Sequence, residues 1–219
     1  LLMKKIISFS LWGDNPKYTI GAIKNAELID TVYPGWIGRF YCGKSVPIEI
    51  IEILKTYTNV EVIEMEENGD WSGMFWRFYA CEDSDVMISR DTDSRLNLRE
   101  KNAVDEWLNS DKDFHIMRDH PYHNALILGG MWGVRNGILK NIVDLIKNYN
   151  KGDFWQVDQN FLSEEIYPIV VNTSFVHDSH HNINSWSKNF SIERINQEFV
   201  GDVFDEYNKR HSQYYKLIS

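Results

Sequence analysis

Short apolar runs alternate with helix-period segments over the first ninety residues. Residues 5–10 form an apolar run behind two lysines, and they predict a buried strand that opens the fold. Asn15-Pro16 follows. Asn caps helices well and Pro suits the first helical position, so a helix is predicted from there to about residue 28. Residues 36–42 and 60–65 read as the next two strands. Between them Pro47, Ile50, Ile51 and Leu54 fall on one helical face, with Ser45 as the expected cap. Residues 71–81 look helical, and residues 86–89 are a short apolar strand.

The second half is less regular. A helix is predicted over 99–109 and a strand over 114–117. A His-rich loop, 119–124, follows, and then an apolar run, 125–128, which leads into Gly129-Gly130-Met131-Trp132-Gly133. Ile138, Ile142, Leu145, Ile146 and Tyr149 have helical spacing. Residues 154–165 predict another helix and 169–171 another strand; from Ser185 the chain is polar and aromatic without a clear period. Strand–helix alternation of this kind predicts an α/β fold, with a mainly parallel sheet covered by helices. Such sheets bind ligands beyond the carboxyl ends of their strands. The first strand would end beside Leu11-Trp12-Gly13, and the fourth beside Arg90-Asp91-Thr92-Asp93.

A length of 219 residues suits one domain, expected to divide into a nucleotide-binding half, 1–95, and an acceptor and sugar half, 96–219. The composition, 43% hydrophobic and 25% charged, is that of a soluble globular protein. A net charge of -9, from 23 basic and 32 acidic side chains, argues against a broad nucleic-acid surface. Cys42 and Cys81 make no disulfide framework and no metal-spaced pair. They read as buried small hydrophobes in a reducing compartment, which predicts a cytoplasmic location. No apolar run is long enough to span a membrane, and none reads as a signal peptide; Leu1 and Leu2, ahead of Met3, read as an added leader.

Asp91-Thr92-Asp93 is the motif with the most chemistry. In extended backbone alternate side chains share a face, so both carboxylates can meet one cation. Mg²⁺ or Mn²⁺ favours such oxygens and is commonly bound together with substrate phosphates. Two other Asp-x-Asp pairs exist. Asp83 and Asp85 stand at the entry of a strand, and Asp111 and Asp113 in a polar turn, so neither lies at the ligand-binding end.

The stretch from Phe75-Trp76-Arg77-Phe78 to Asp91-Thr92-Asp93 resembles the core of the GT-A glycosyltransferases, and most of all the retaining glycogenin and lipopolysaccharide-galactosyltransferase family. The resemblance implies a GT-A fold and a metal-dependent transferase, with a nucleotide-sugar donor such as a UDP-sugar and a glycan or other hydroxyl acceptor. Arg77 would contact the donor, Asp91 and Asp93 would hold the metal and the ribose, and Gly129-Gly130 would let the sugar approach the backbone. Asp158-Gln159 would border the anomeric carbon. His177 would complete the metal site, a place His180 can take instead. Lys188 would meet the diphosphate, and Ser10, Trp12, Asn15 and Tyr18 would surround the base. The family's His is followed by a Gly, Lys and Trp pattern; this chain has His177-Asp178-Ser179-His180-His181, then Trp186 and Lys188. Asp119 and Asp158 are the candidate bases for an inverting reaction, and the resemblance favours retention. The loop 115–123, with Arg118, His120, Tyr122 and His123, is a candidate acceptor groove, and Trp71, Trp76, Trp132 and Trp155 offer flat faces for sugar rings.

Two other readings stand beside it. Asp119, His120, His123, His177, Asp178, His180 and His181 form a ligand pool for a metal-dependent hydrolase. A carbohydrate-binding module without catalysis is the other.

Overall fold

The computed structural model describes residues 3–149 and 151–218. Leu1 and Leu2 lie outside the described residues.

Seven strands form one sheet: β1 (Lys5–Leu11), β2 (Ile37–Cys42), β3 (Val60–Glu64), β4 (Val86–Ser89), β5 (Phe114–Arg118), β6 (Trp132–Arg135) and β7 (Ser174–Asp178). Their order across the sheet is β3-β2-β1-β4-β6-β5-β7. Strand β6 runs antiparallel to both of its neighbours, and every other pair is parallel. The first four strands follow the expected alternation: β1, β2 and β4 are buried on both faces, as strands covered by helices are, whereas the edge strand β3 is only half covered.

Alternation along β1 shows how the faces are filled. Ile7, Phe9 and Leu11 enter a cluster with Phe40, Ile88 and Trp107 on one side. Helices α1 (Pro16–Val32), α2 (Ile48–Lys55) and α3 (Leu98–Leu108) supply Ala26, Leu54 and Val104 to that cluster. Ile6 points the other way, into a cluster with Phe78, Phe114, Trp132 and Phe161. Ser8 and Ser10 share Ile6's face and reach a 3₁₀ helix, Trp71–Glu82: Ser8 Oγ donates to the Arg77 carbonyl (2.6 Å), and Arg77 N–H donates to Ser10 Oγ (3.0 Å).

Local expectations fail where tertiary contacts decide. Asn15 does cap α1, its Oδ1 accepting from Lys17 N–H, but the helix runs to Val32, past residue 28. Ser45 caps nothing; its hydroxyl accepts from Gly13 N–H (2.7 Å) and donates to the Asn68 carbonyl (2.5 Å), tying two loops together. The apolar run 125–128 stays irregular and β6 begins after it, at Trp132. Helix α4 (Ile142–Asn148) starts later than the spacing from Ile138 suggests. Helix α5 (Val157–Phe161) also begins late and continues through a π-helical turn, Leu162–Ile166, to Val170. Residues 169–171 are therefore helical, with the strand at Ser174–Asp178 instead. Pro168 sits inside a turn of that helix, and three apolar residues carry no period of their own. From residue 185 onward the chain is a strap of turns, joined to the rest by isolated bridges such as Ser94 with Val203, and it ends in a short helix, Ser212–Tyr215.

Candidate active site

Strand β4 ends at Ser89, and the loop beyond it is clamped from three sides. Arg90 is buried and ion-paired to Glu100 of α3 (2.5 Å). Asn25, buried in the middle of α1, donates to the Ser94 carbonyl (2.8 Å) and the Thr92 carbonyl (3.3 Å) and accepts from Leu96 N–H (3.0 Å). One turn earlier, Gly21 has no side chain because the Thr92 carbonyl oxygen fills that space. From the third side, Phe204 N–H in the strap donates to the Asp93 carbonyl (2.8 Å).

The Asp91–Asp93 loop opens on a cavity of about 480 Å³ at the carboxyl ends of β1 and β4. Ser10, Trp12, Asp14, Asn15 and Tyr18 line one wall, Trp71, Met74 and Arg77 another. Gly129, Gly130, Trp155, Asp158 and Gln159 line the far side. Arg77 is the central cation. Its Nη2 donates to Asp158 Oδ2 (2.8 Å), and its Nη1 donates to the Arg90 carbonyl (3.1 Å) and to Asp91 Oδ1. Asp158 is fully buried. Burial pushes its pKa up while Arg77 holds it back, and its Oδ1 has no hydrogen-bond partner. Burial, together with the charge of Asp91, also pushes Asp93 up, against the pull of Lys17, whose ammonium lies 2.8 Å from Asp93 Oδ2.

The glycine pair has a more specific reason than was read from the sequence. A methyl group on Gly130 would strike the Asp91 carboxylate, and one on Gly129 would strike Asp158 and Arg77. The two glycines let the charged cluster pack against bare backbone. Two carboxylates opening on one cavity suit Mg²⁺ or Mn²⁺, which complete their shells with phosphate oxygens and water.

No protein-family model matches this sequence, and no curated protein sequence does. Solved structures do resemble it. One is TarS 1-349 of S. aureus, with a TM-score of 0.53 at 15% identity, covering 86% of this chain and 59% of that one. A glycosyltransferase of PBCV-1, involved in glycosylation of the major capsid, has a TM-score of 0.50 at 20% identity over 80% of this chain and 81% of its own. Glucosyl-3-phosphoglycerate synthase from Mycobacterium tuberculosis, in complex with Mn²⁺, UDP-glucose and phosphoglyceric acid, has a TM-score of 0.53 at 10% identity, covering 84% of this chain and 73% of its own.

This chain has the GT-A glycosyltransferase fold. It spans 59% of the TarS fragment.

Within the GT-A frame, the structure gathers most of the residues singled out from the sequence: Ser10, Trp12, Asn15, Tyr18, Arg77, Asp91, Asp93, Gly129, Gly130, Asp158 and Gln159 all line the one cavity. Of the tryptophans, Trp71 and Trp155 line it and are exposed, whereas Trp76 and Trp132 are buried in the core. Asp14, Met74 and Lys17 were not foreseen. Lys17 carried no sequence signal, since a cation in the first turn of a helix opposes the helix dipole.

His177 and Lys188 are corrections. His177 sits near the end of β7, the outermost strand on its side of the sheet, and is fully buried. Its Nδ1 is bonded to His115 Nε2 (2.9 Å) and its Nε2 to Glu106 (3.2 Å), so neither ring nitrogen is free for a metal. Lys188 bridges β7 through its backbone, and its ammonium lies over the Phe175 ring, 5.2 Å from the centroid. His180 does not replace His177 at the Asp91–Asp93 cavity, because it does not line it; its Nε2 faces Arg194 (3.2 Å).

Much of the ligand pool of the hydrolase reading is also engaged within the fold. Asp119 accepts from Arg99 through both oxygens and from Ser179 and Val200 N–H, and Arg194 pairs with it as well. This saturation likewise removes Asp119 as a catalytic base. Asp178 accepts from Arg118 and from the backbone of His180 and His181. Among the described residues no cluster of three His, Cys, Asp or Glu side chains can hold a metal, and no helix is long and apolar enough to cross a membrane.

Proposed function

We propose that this chain is a metal-dependent glycosyltransferase that moves a sugar from a nucleoside diphosphate, most simply a UDP-sugar, to an acceptor hydroxyl with retention. The observation that carries the reading is the charged cluster at the end of β4. There Asp91, Asp93 and Asp158 converge on one cavity around a single buried arginine. With Asp14, the lining holds four carboxylates against one guanidinium. An anionic diphosphate is repelled by such a lining unless a cation accompanies it. A divalent cation on Asp91 and Asp93 would supply that charge and stabilise the departing diphosphate.

The chain's own residues divide the remaining work. Trp12 and Tyr18 offer ring faces to the base, with Asn15 and Ser10 beside them. Arg77 fixes Asp91 and Asp158 relative to one another. Asp158 Oδ1, buried and unpartnered, is a ready acceptor for a sugar hydroxyl. Gln159 lies next to it along the cavity wall, and the exposed ring of Trp155 flanks the mouth on the same side. Asp158 is already bound to Arg77 and Asp119 is saturated. Retention, where the leaving diphosphate itself takes the acceptor's proton, is the course that asks neither of them to act as a base.

Among the solved relatives in fold, the mannosyltransferase from Pyrobaculum calidifontis is in complex with GDP-Man and Mn²⁺, and TarS is in complex with UDP. These ligands define the panel to try. Nucleotide release from UDP- and GDP-sugars, measured with and without Mn²⁺, is expected only with the metal. Asp93→Ala is expected to abolish release and keep the thermal unfolding transition. Full activity of that variant in a chelator would refute the assignment.

A further inference from the structure

Both carboxylates of the Asp91–Asp93 pair already have a basic partner, but the two partners are built differently. Arg77 is 3% exposed and is anchored on Asp158 and the Arg90 carbonyl as well as on Asp91. It cannot leave. Lys17 sits in the first turn of α1, with its side chain 27% exposed. Its ammonium touches Asp93 Oδ2 at 2.8 Å and lies over the Tyr18 ring, 5.2 Å from the centroid. Among the described residues Asp93 is its only ion-pair partner. A lysine carries its charge on a flexible four-carbon stem, so it can change partners while its helix stays in place.

We infer that Lys17 is an exchangeable counter-ion of Asp93: it holds the carboxylate in the donor-free protein, yields it to a divalent cation, and turns its ammonium to the incoming diphosphate. The inference rests on the donor reading above and adds a residue to it. It also supplies a lysine for the diphosphate, a role for which Lys188 is wrongly placed. Two charges cannot share one carboxylate oxygen without repelling each other, so the metal and the ammonium compete when nucleotide is absent. When the diphosphate arrives, it offers oxygens to both, and competition becomes cooperation.

The test is a pair of titrations on Lys17→Met, which keeps an unbranched apolar stem of similar length and removes the charge. Without nucleotide, Mn²⁺ followed by electron spin resonance is expected to bind the variant roughly tenfold more tightly than the natural chain, and added salt should narrow the gap. At saturating Mn²⁺, calorimetry is expected to show UDP binding the variant several-fold more weakly. Lys17→Gln should give the same two signs, which guards against an effect peculiar to methionine. Unchanged or weaker Mn²⁺ binding, or unchanged UDP binding, overturns the role of Lys17 while the donor reading survives. If neither the natural chain nor the variants bind Mn²⁺ at all, both fall. If only the variants bind it, the counter-ion role stands.

Discussion

Arg77 is the residue on which the cavity depends most. Its guanidinium neutralises a fully buried carboxylate, Asp158, so deleting the charge leaves that carboxylate without compensation. Arg77→Met is therefore expected to cost about 3–5 kcal/mol at neutral pH, measured by urea unfolding. The sign with pH follows. Without Arg77, Asp158 titrates above its unfolded value, so the penalty shrinks as acid neutralises it, and the variant should lose less at pH 5 than at pH 7. At this scale the sequence was informative where position supplied a reason. Asp91 and Asp93 stood out from two other Asp-x-Asp pairs only because an apolar strand precedes them. The structure engages the rivals elsewhere: Asp83 pairs with Arg39 and Lys4, and Asp113 accepts from Asn136. His177 misled because a histidine at the end of an apolar run looks the same whether it faces a cavity or, as here, another buried imidazole.

At the scale of elements, the Asp91–Asp93 loop borrows its shape from α1. Gly21 and Asn25 are one turn apart on the buried face of that helix, and together they receive the loop's carbonyls. Asn25→Ala strands the Leu96 N–H and leaves the Thr92 and Ser94 carbonyls to Arg95 Nη1 alone. It is expected to lower stability by about 1–3 kcal/mol. Gly21→Ala drives a methyl group into the Thr92 carbonyl, and the loop must move away. Its Mn²⁺ affinity, by direct titration, is expected to fall at least tenfold while the helix content by circular dichroism is unchanged. Neither residue could be recognised beforehand, because a glycine and an asparagine within a helix say nothing about a loop some seventy residues later. Strands β1, β2 and β4 were legible since each is buried on both faces, and the half-covered edge strand β3 because its valines alternate with glutamate. Residues 157–165 were legible as a helix, but its continuation to Val170 was not: it passes through a π-helical turn, which breaks the helical period.

For the whole molecule, buried imidazoles set the response to acid. Burial lowers the pKa of His115 well below its usual 6.5, with His177 adding to the effect, and burial lowers His177 although Glu106 opposes it. His123 is pushed down to about 3 by burial and by His120. These rings stay neutral in the fold, whereas the unfolded chain takes up protons below about pH 6.5. Their contribution is thus complete above that pH and is lost as the solution becomes more acidic. Each ring adds a slope of up to about 1.4 kcal/mol per pH unit. Urea midpoints measured from pH 7.5 to pH 5 should fall steadily below 6.5, and His177→Gln should flatten the curve. The reversed strand β6 has a different consequence. Because it begins where β4 ends, the cavity is assembled from two stretches that do not interleave along the gene: 10–93 on one wall and 129–159 on the other. On the donor reading proposed above, libraries that randomise the later stretch would leave the nucleotide's wall untouched, so specificity for one reactant could drift under selection while recognition of the other is inherited unchanged.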